Sequence, residues 1–335
     1  MATLDDLEAA LRTSWDPGTV AVYADHLQLL GDTRGELIAI DLRIEDSGPT
    51  PELVRRRQEI LASWLGAELP HGVIRHGFID VDATSADPVS QARVAFEGPG
   101  ALFIRSVAMV GPPSLVAATL AVVAAAPRPS LTHVTIRQWP ESTWPPGRRG
   151  RAAPGVEVPH GLAEAAPHLT TLELEGREVL PGFGHKNVRR LRVSGWEAIA
   201  FDGLPALTEL DLAFHFHLDD SPLPPKDGEL ETLLSPEVLP ALTQLDLSRN
   251  EPGQFDPHNL GGRKGAFHFL RTLGLRSQLT KLRLPALNTN AELMDLQFVL
   301  ATMPALRELE IVRVKPQLEH LHRQIEHPTA TIRIG

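Results

Sequence analysis

The stretch VLPALTQLDLSRN, Val238–Asn250, places leucines at Leu242, Leu245 and Leu247 and an asparagine three residues later. Leu245 and Leu247 are two apart, so on an extended chain they point to the same side. Leu242 sits where the chain turns into that strand. All three can enter one core, while Gln244, Asp246 and Ser248 alternate with them and face away. One strand this short hides little apolar surface alone, so the pattern has meaning only if it recurs.

It does recur. The spacing L-x-x-L-x-L returns as LTHVTI (Leu131), LTTLEL (Leu169), VRRLRV (Val188), LTELDL (Leu207), LTKLRL (Leu279) and LRELEI (Leu306), with a weaker copy, IRSVAM, from Ile104. Three copies follow the phrase LPA or MPA, at 204, 239 and 303. Successive starts are 27, 38, 19, 19, 35, 37 and 27 residues apart. The longer intervals carry an insertion or a unit whose strand is not evident. Stacked units bury together what none buries alone. The expected fold is therefore α/β: a solenoid with a parallel concave sheet. SLVAATLAVVAAAP (Ser114–Pro127) and NAELMDLQFVLATMP (Asn290–Pro304) read as outer helices, each ending at a proline. These units resemble leucine-rich repeats in their irregular bacterial form, over roughly residues 100–335. The asparagine that usually follows the strand in that family stands at Asn250. It is missing after LTELDL and LTKLRL, so a continuous asparagine ladder is not expected.

Residues 1–70 have another texture and predict a helical bundle capping the first repeat. Thr3 and Asp6 form a capping-box-like start, with Leu4, Leu7 and Leu11 on one face. A second helix carries Val20, Tyr23, Leu27 and Leu30 and ends at Gly31. Thr33 and Glu36 are expected to cap a third helix through Ile38, Ile40 and Leu42, and Pro51 to open a fourth, ending near Leu65. The phrase VYADHLQLLGDTRGELIAI (Val22–Ile40) resembles a bacterial repeat-companion module at Tyr23, Ala24, Asp25, Gly31, Asp32, Arg34, Gly35 and Glu36. His26 stands where that module usually has tryptophan. HGFIDVDA (His76–Ala83) is similar to the way such proteins lead into their repeats. The resemblance implies architecture and no chemistry. The residues themselves read as helix caps and local ion pairs. The division expected is 1–70 for the helical part and 71–335 for the solenoid, with insertions at 137–161 and 213–237.

Composition narrows the function. Apolar residues make up 42% of the 335, enough for a large core, and the net charge of −10 argues against a global affinity for nucleic acid or anionic membrane. The absence of cysteine removes disulfides, thiolate chemistry and iron–sulfur clusters. The acidic start MATLDDLEAALRTSW does not read as a signal peptide. The longest apolar run, Leu115–Ala126, is shorter than the roughly 20 residues of a membrane span. A cytoplasmic protein is expected. No G-x-S-x-G, P-loop, H-E-x-x-H or dinucleotide fingerprint is present, so no cofactor is called for. GGRKGAF (Gly261–Phe267) reads as a flexible loop and GFGH (Gly182–His185) as a turn.

Two histidine clusters read as solvated polar loops and a polar helix face, with a metal site as the alternative for each. One holds His215, His217, Asp219 and Asp220; the other holds Glu319, His320, His322, Glu326 and His327. Neither has the spacing of a familiar ligand set. The concave strip is more informative. Beside the strand leucines stand Thr171, Glu173 and Glu175; Arg190, Arg192 and Ser194; Glu209, Asp211 and Ala213; Gln244, Asp246 and Ser248; Lys281, Arg283 and Pro285; Glu308, Glu310 and Val312. Read across strands about 4.8 Å apart, the sign runs negative, positive, negative, negative, positive, negative. Such a strip suits a protein partner read by charge pattern. The insertion Arg137–Gly161 adds Trp139, Trp144, Arg148, Arg149 and Arg151, residue types that anchor interfaces. The expected function is protein–protein interaction. The alternatives are a metal-dependent enzyme built on His215, His217, Asp219 and Asp220, and a nucleic-acid-associated protein using the three arginines.

Overall fold

The structure, a computed structural model, describes residues 2–66, 72–84, 87–138, 161–176, 179–195, 199–201, 203–214, 232–250, 267, 270, 273–318 and 325–335. The chain is α/β, with mostly parallel strands, and divides into two compact units whose described residues part between Leu169 and Thr170.

The first unit opens with four helices: α1 (Leu4–Thr13), α2 (Pro17–Leu29), α3 (Thr33–Ser47) and α4 (Pro51–Leu65). Their starts follow from local chemistry. Thr3 and Asp6 close a reciprocal capping box on α1. Asp16 accepts from the Thr19 amide, and Pro17 supplies the preset φ of a first helical residue. Thr50 caps α4 through the Leu53 amide. The cap of α3 differs from expectation: Asp32, not Thr33, is the capping residue, accepting from the Arg34 amide at 2.9 Å. Its carboxylate is an acceptor one residue earlier, which leaves Thr33 as the first helical residue. Leu30 also departs from its expected core face. It lies one residue past the end of α2 and is 68% exposed, while Val20, Tyr23 and Leu27 are buried with Leu7, Leu11, Ile38 and Phe78.

After the helices, β1 (Gly72–Arg75) and β2 (Phe78–Ala83) form an antiparallel hairpin. Its turn residues His76 and Gly77 both have positive φ, 50° and 73°. Two parallel strands follow, β3 (Ile104–Gly111) and β4 (His133–Gln138), in the order β2-β3-β4. The helices α5 (Pro88–Glu97), α6 (Pro113–Ala124) and α7 (Gly161–Ala165) alternate with them or follow. α6 is the apolar segment read from sequence, and it buries Val116, Leu120 and Val123.

The second unit is built on the recurring motif. β5 (Thr171–Gly176), β7 (Arg190–Gly195), β9 (Glu209–Phe214), β10 (Gln244–Asp246), β11 (Lys281–Leu284), β12 (Glu308–Ile311) and β13 (Thr331–Ile334) lie side by side in that order, all parallel. The strands from the motif are in exact register: Leu172, Leu191, Leu210, Leu245, Leu282 and Leu309 form one row. Every member of that row is at most 1% exposed, as are the leading residues Val188, Leu207, Leu242, Leu279 and Leu306. Two further strands, β6 (Val179–Phe183) and β8 (Ile199–Phe201), pair with each other in a second, parallel sheet. The segment read as a turn at Gly182–His185 therefore begins inside a strand. One helix of this unit, α8 (Asn290–Leu300), carries a complete capping box between Thr289 and Glu292.

A device missed in the sequence stitches the strands at their starts. The threonine after the leading leucine donates its hydroxyl to the preceding strand: Thr208 to the Arg189 carbonyl (3.1 Å), Thr243 to Thr208 (3.4 Å) and Thr280 to Thr243 (3.2 Å). Backbone amides of the same residues reach the same carbonyls. Asn250 is buried and plays the complementary part after β10. Its Nδ2 donates to the carbonyls of Leu212 (2.7 Å) and Leu247 (2.9 Å).

No described helix is long and apolar enough to cross a membrane.

Candidate functional surface

Alternation along each strand of the second unit puts the leucines inside and the charged residues on the opposite face. Register does the rest. Arg190, Glu209, Gln244, Lys281 and Glu308 form one row, flanked by Thr171 and Thr331. Glu173, Arg192, Asp211, Asp246, Arg283, Glu310 and Arg333 form the next. β7, β9, β11 and β12 thus each carry two like charges two residues apart, and most neighbouring strands carry the opposite sign.

The side chains pair laterally. Arg190 Nε donates to Glu209 Oε2 at 2.7 Å, Arg192 Nε lies 3.1 Å from Asp211 Oδ2, and Lys281 Nζ lies 3.2 Å from Glu308 Oε2. Arg283 bridges two strands, with Nη1 3.3 Å from Asp246 Oδ2 and Nε 3.0 Å from Glu310 Oε1. The second contact lies off the N–H direction, so it is Coulombic rather than a directed hydrogen bond. These side chains keep between a quarter and about three fifths of their surface exposed. Exposed pairs of this kind contribute less than about 1 kcal/mol each. They order the surface more than they stabilise the fold.

Asp211 is the best covered of the carboxylates. Arg249, from the loop after β10, donates Nε to its Oδ1 at 2.9 Å and Nη2 to the Val193 carbonyl at 3.2 Å. Burial pushes the Asp211 carboxyl above its ordinary range despite Arg249 and Arg192, and the nearby Asp246 charge adds to the push. Arg249 was not among the expected surface residues; its position in SRN, directly after a motif strand, was the available signal. Its reach corrects the third position of the expected strip. Ser194 and Ala213 are buried, because the chain leaving β10 folds back toward the residues beside them. Pro285 is also buried, whereas Glu175 and Val312 are exposed and Ser248 is half-buried.

The polar residues of the first unit's bundle are arranged differently. Asp41, buried, accepts from Arg57 Nε (2.7 Å) and from the His76 amide (2.8 Å), and Arg57 also donates to the Ile74 carbonyl. The buried His76 ring accepts at Nδ1 from Trp15 Nε1 (3.1 Å). Its Nε2 therefore carries the proton and faces Glu45 Oε2 at 3.1 Å. Arg34, also buried, grips Asp32 and lies over the Phe103 ring, 3.5 Å from its centroid. Glu36 pairs with Arg56 at 2.7 Å, and Asp25 is exposed. These groups hold the hairpin and Phe103 to the helices.

A cleft of about 530 Å³ lies between the end of α1 and the polar side of β2, β3 and β4. Asp80, Ser106 and His133 share one register row there. Ser106 donates to Asp80 at 2.6 Å, and Arg105 takes the remaining Asp80 oxygen while lying over Trp15.

The candidate anchors Trp139, Trp144, Arg148, Arg149 and Arg151 lie outside the described residues, as do His215, His217, Asp219 and Asp220. Glu319, His320 and His322 do too, while His327 caps a turn, its Nδ1 accepting from the amides of Thr329 and Ala330. Among the described residues no three histidine or acidic side chains are disposed to hold a metal. No protein-family model matches the chain, and no curated protein matches it.

Proposed function

We propose that this chain is a leucine-rich-repeat-like solenoid whose polar sheet face binds a protein partner. One observation carries the reading: charged side chains on neighbouring parallel strands stand in two rows in exact register, on the face opposite the leucines. Seven strands at about 4.8 Å present a surface about 29 Å across, of the scale of a protein contact. Mixed sign suits recognition by pattern, where complementary charge sets partner choice and encounter rate. A uniformly basic strip would have suited a nucleic acid instead. In this reading the four helices cover the first turn of the solenoid.

The test is site-specific photo-crosslinking. A photoreactive side chain at Gln244, in the middle of the strip, is expected to capture protein. The same group at Met294, exposed on α8, is expected to capture none. Equal capture from both positions, or none from either, would reject the strip as the binding face.

A further inference from the structure

The arrangement of signs says more than that the face is mixed. Taking β10 as the centre, the strands to one side are β9, β7 and β5, and to the other β11, β12 and β13. β9 carries Glu209 and Asp211, and β11 carries Lys281 and Arg283. β7 carries Arg190 and Arg192, and β12 carries Glu308 and Glu310. β5 has Glu173 where β13 has Arg333, in the same register row. Within the two register rows, every charge at a given distance from β10 is matched by the opposite charge at that distance on the other side.

A surface that is antisymmetric about its own centre is complementary to itself. Resting on the reading of this face as a protein-binding surface, we propose that the partner is a second copy of this chain, docked face to face about a two-fold axis along β10. That operation reverses strand order and leaves the two rows matched. The basic pair on β7 then lies over the acidic pair on the partner copy's β12, and the acidic pair on β9 over the basic pair on its β11. Each contact occurs twice, as an isologous interface requires. At the axis Gln244 meets its own counterpart, two amides that can donate and accept mutually. Asp246 also meets itself, with its charge already shared with Arg283 at 3.3 Å.

The other arrangements fail. A slip by one strand in either direction puts β7 over β11 or β13, positive on positive, and β9 over β10 or β12, negative on negative. A two-fold axis across the strands lays each strand over itself, like over like throughout. Antisymmetry therefore fixes both the axis and the register. It also answers a global objection: two chains of net charge −10 repel, but over this face the charges cancel laterally, so the copies can approach there.

The experiment measures mass by sedimentation velocity on the full chain and on two variants, Arg190→Glu/Arg192→Glu and Glu308→Arg/Glu310→Arg. The wild type is expected to dimerise at about 0.1 M salt and to dissociate toward about 1 M, as the screening length falls from about 10 Å to about 3 Å. Each variant alone places like charges in apposition, so its self-association is expected to weaken at least about tenfold. Mixed in equal amounts they restore opposition at both contacts, and the mixture is expected to recover the dimer. Circular dichroism verifies folding. Where a reversal prevents folding, Arg190→Gln/Arg192→Gln replaces it and is expected to weaken the wild-type dimer without rescue by mixing. A wild type monomeric at about 0.1 M salt, or variants that dimerise as the wild type does, would overturn the proposal. A monomeric wild type that still captures a different protein from Gln244 overturns this proposal alone. Loss of capture as well removes the binding face altogether.

Discussion

The two units use the same residue types to opposite ends. In the first, Asp41 and His76 are buried and Arg57 half-buried, and backbone groups are among the partners of Asp41 and Arg57. In the second, Arg190, Glu209, Lys281 and Glu308 pair side chain to side chain, with much of each left in water. A buried carboxylate that loses its donor is left with the full cost of desolvation; an exposed one turns to water. The first arrangement fixes a turn, and the second stays available to another surface. A list of ion pairs does not distinguish them, and burial does.

The largest effect that tests this contrast is Asp41→Ala. It takes the acceptor from the buried His76 amide and the carboxylate from half-buried Arg57, and urea denaturation is expected to show a loss of about 3–5 kcal/mol. Glu310→Gln on the strip is expected to cost about 0.5 kcal/mol or less. Comparable losses would erase the distinction. Next is Leu245→Ala, expected to cost about 2–5 kcal/mol, beside about 1 kcal/mol or less for Asp246→Asn one residue away. The ratio measures how sharply alternation separates core from face. Asn250→Ala removes two donors from buried carbonyls and is expected to cost about 1–3 kcal/mol.

The smallest effect is in pH, and its sign differs between the units. The hydrogen bond from Arg56 holds Glu36 below its ordinary range. Its contribution is present above the unfolded pKa and lost as pH falls through the lower folded value. Asp211 is raised by burial. Its contribution is present below the unfolded pKa and lost as pH rises through the higher folded value. Urea midpoints followed from about pH 2 to about pH 6 are expected to lose less on acidification in Glu36→Gln. Asp211→Asn is expected to lose less as pH rises. Slopes unchanged in both variants would mean that neither carboxylate is coupled to folding.

The sequence made the strands visible because the physics behind them is periodic. Leucines two apart must share a side, and each motif copy from Leu131 onward lies at the head of a strand. The signs across the strip followed from the same alternation. What stayed hidden depends on groups far apart in the chain. Nothing near Arg249 announces that it reaches Val193, 56 residues earlier, and so nothing local tells that Ser194 and Ala213 are covered. The threonine after Leu207, Leu242 and Leu279 was visible as a phrase, but its acceptor lies at the start of another strand. Asp32 lost to Thr33 as the expected cap because both are good capping residues and only backbone geometry separates them. Gly35 is a related case. A Cβ there would sit 2.6 Å from the Ala24 carbonyl oxygen and 2.7 Å from the Gln28 nitrogen, so it marks the close crossing of α2 and α3.

The small sheet of β6 and β8 has a mechanical consequence. β6 follows β5 and β8 follows β7, so these two consecutive 19-residue repeats are joined along two seams: β5 with β7, and β6 with β8. Opening either seam alone leaves the other to hold the segments in place, so amide protons along Thr171–Phe201 are expected to exchange with deuterium together, in one cooperative event. Where neighbours share a single seam, as β12 and β13 do among the described residues, fraying can advance one strand at a time.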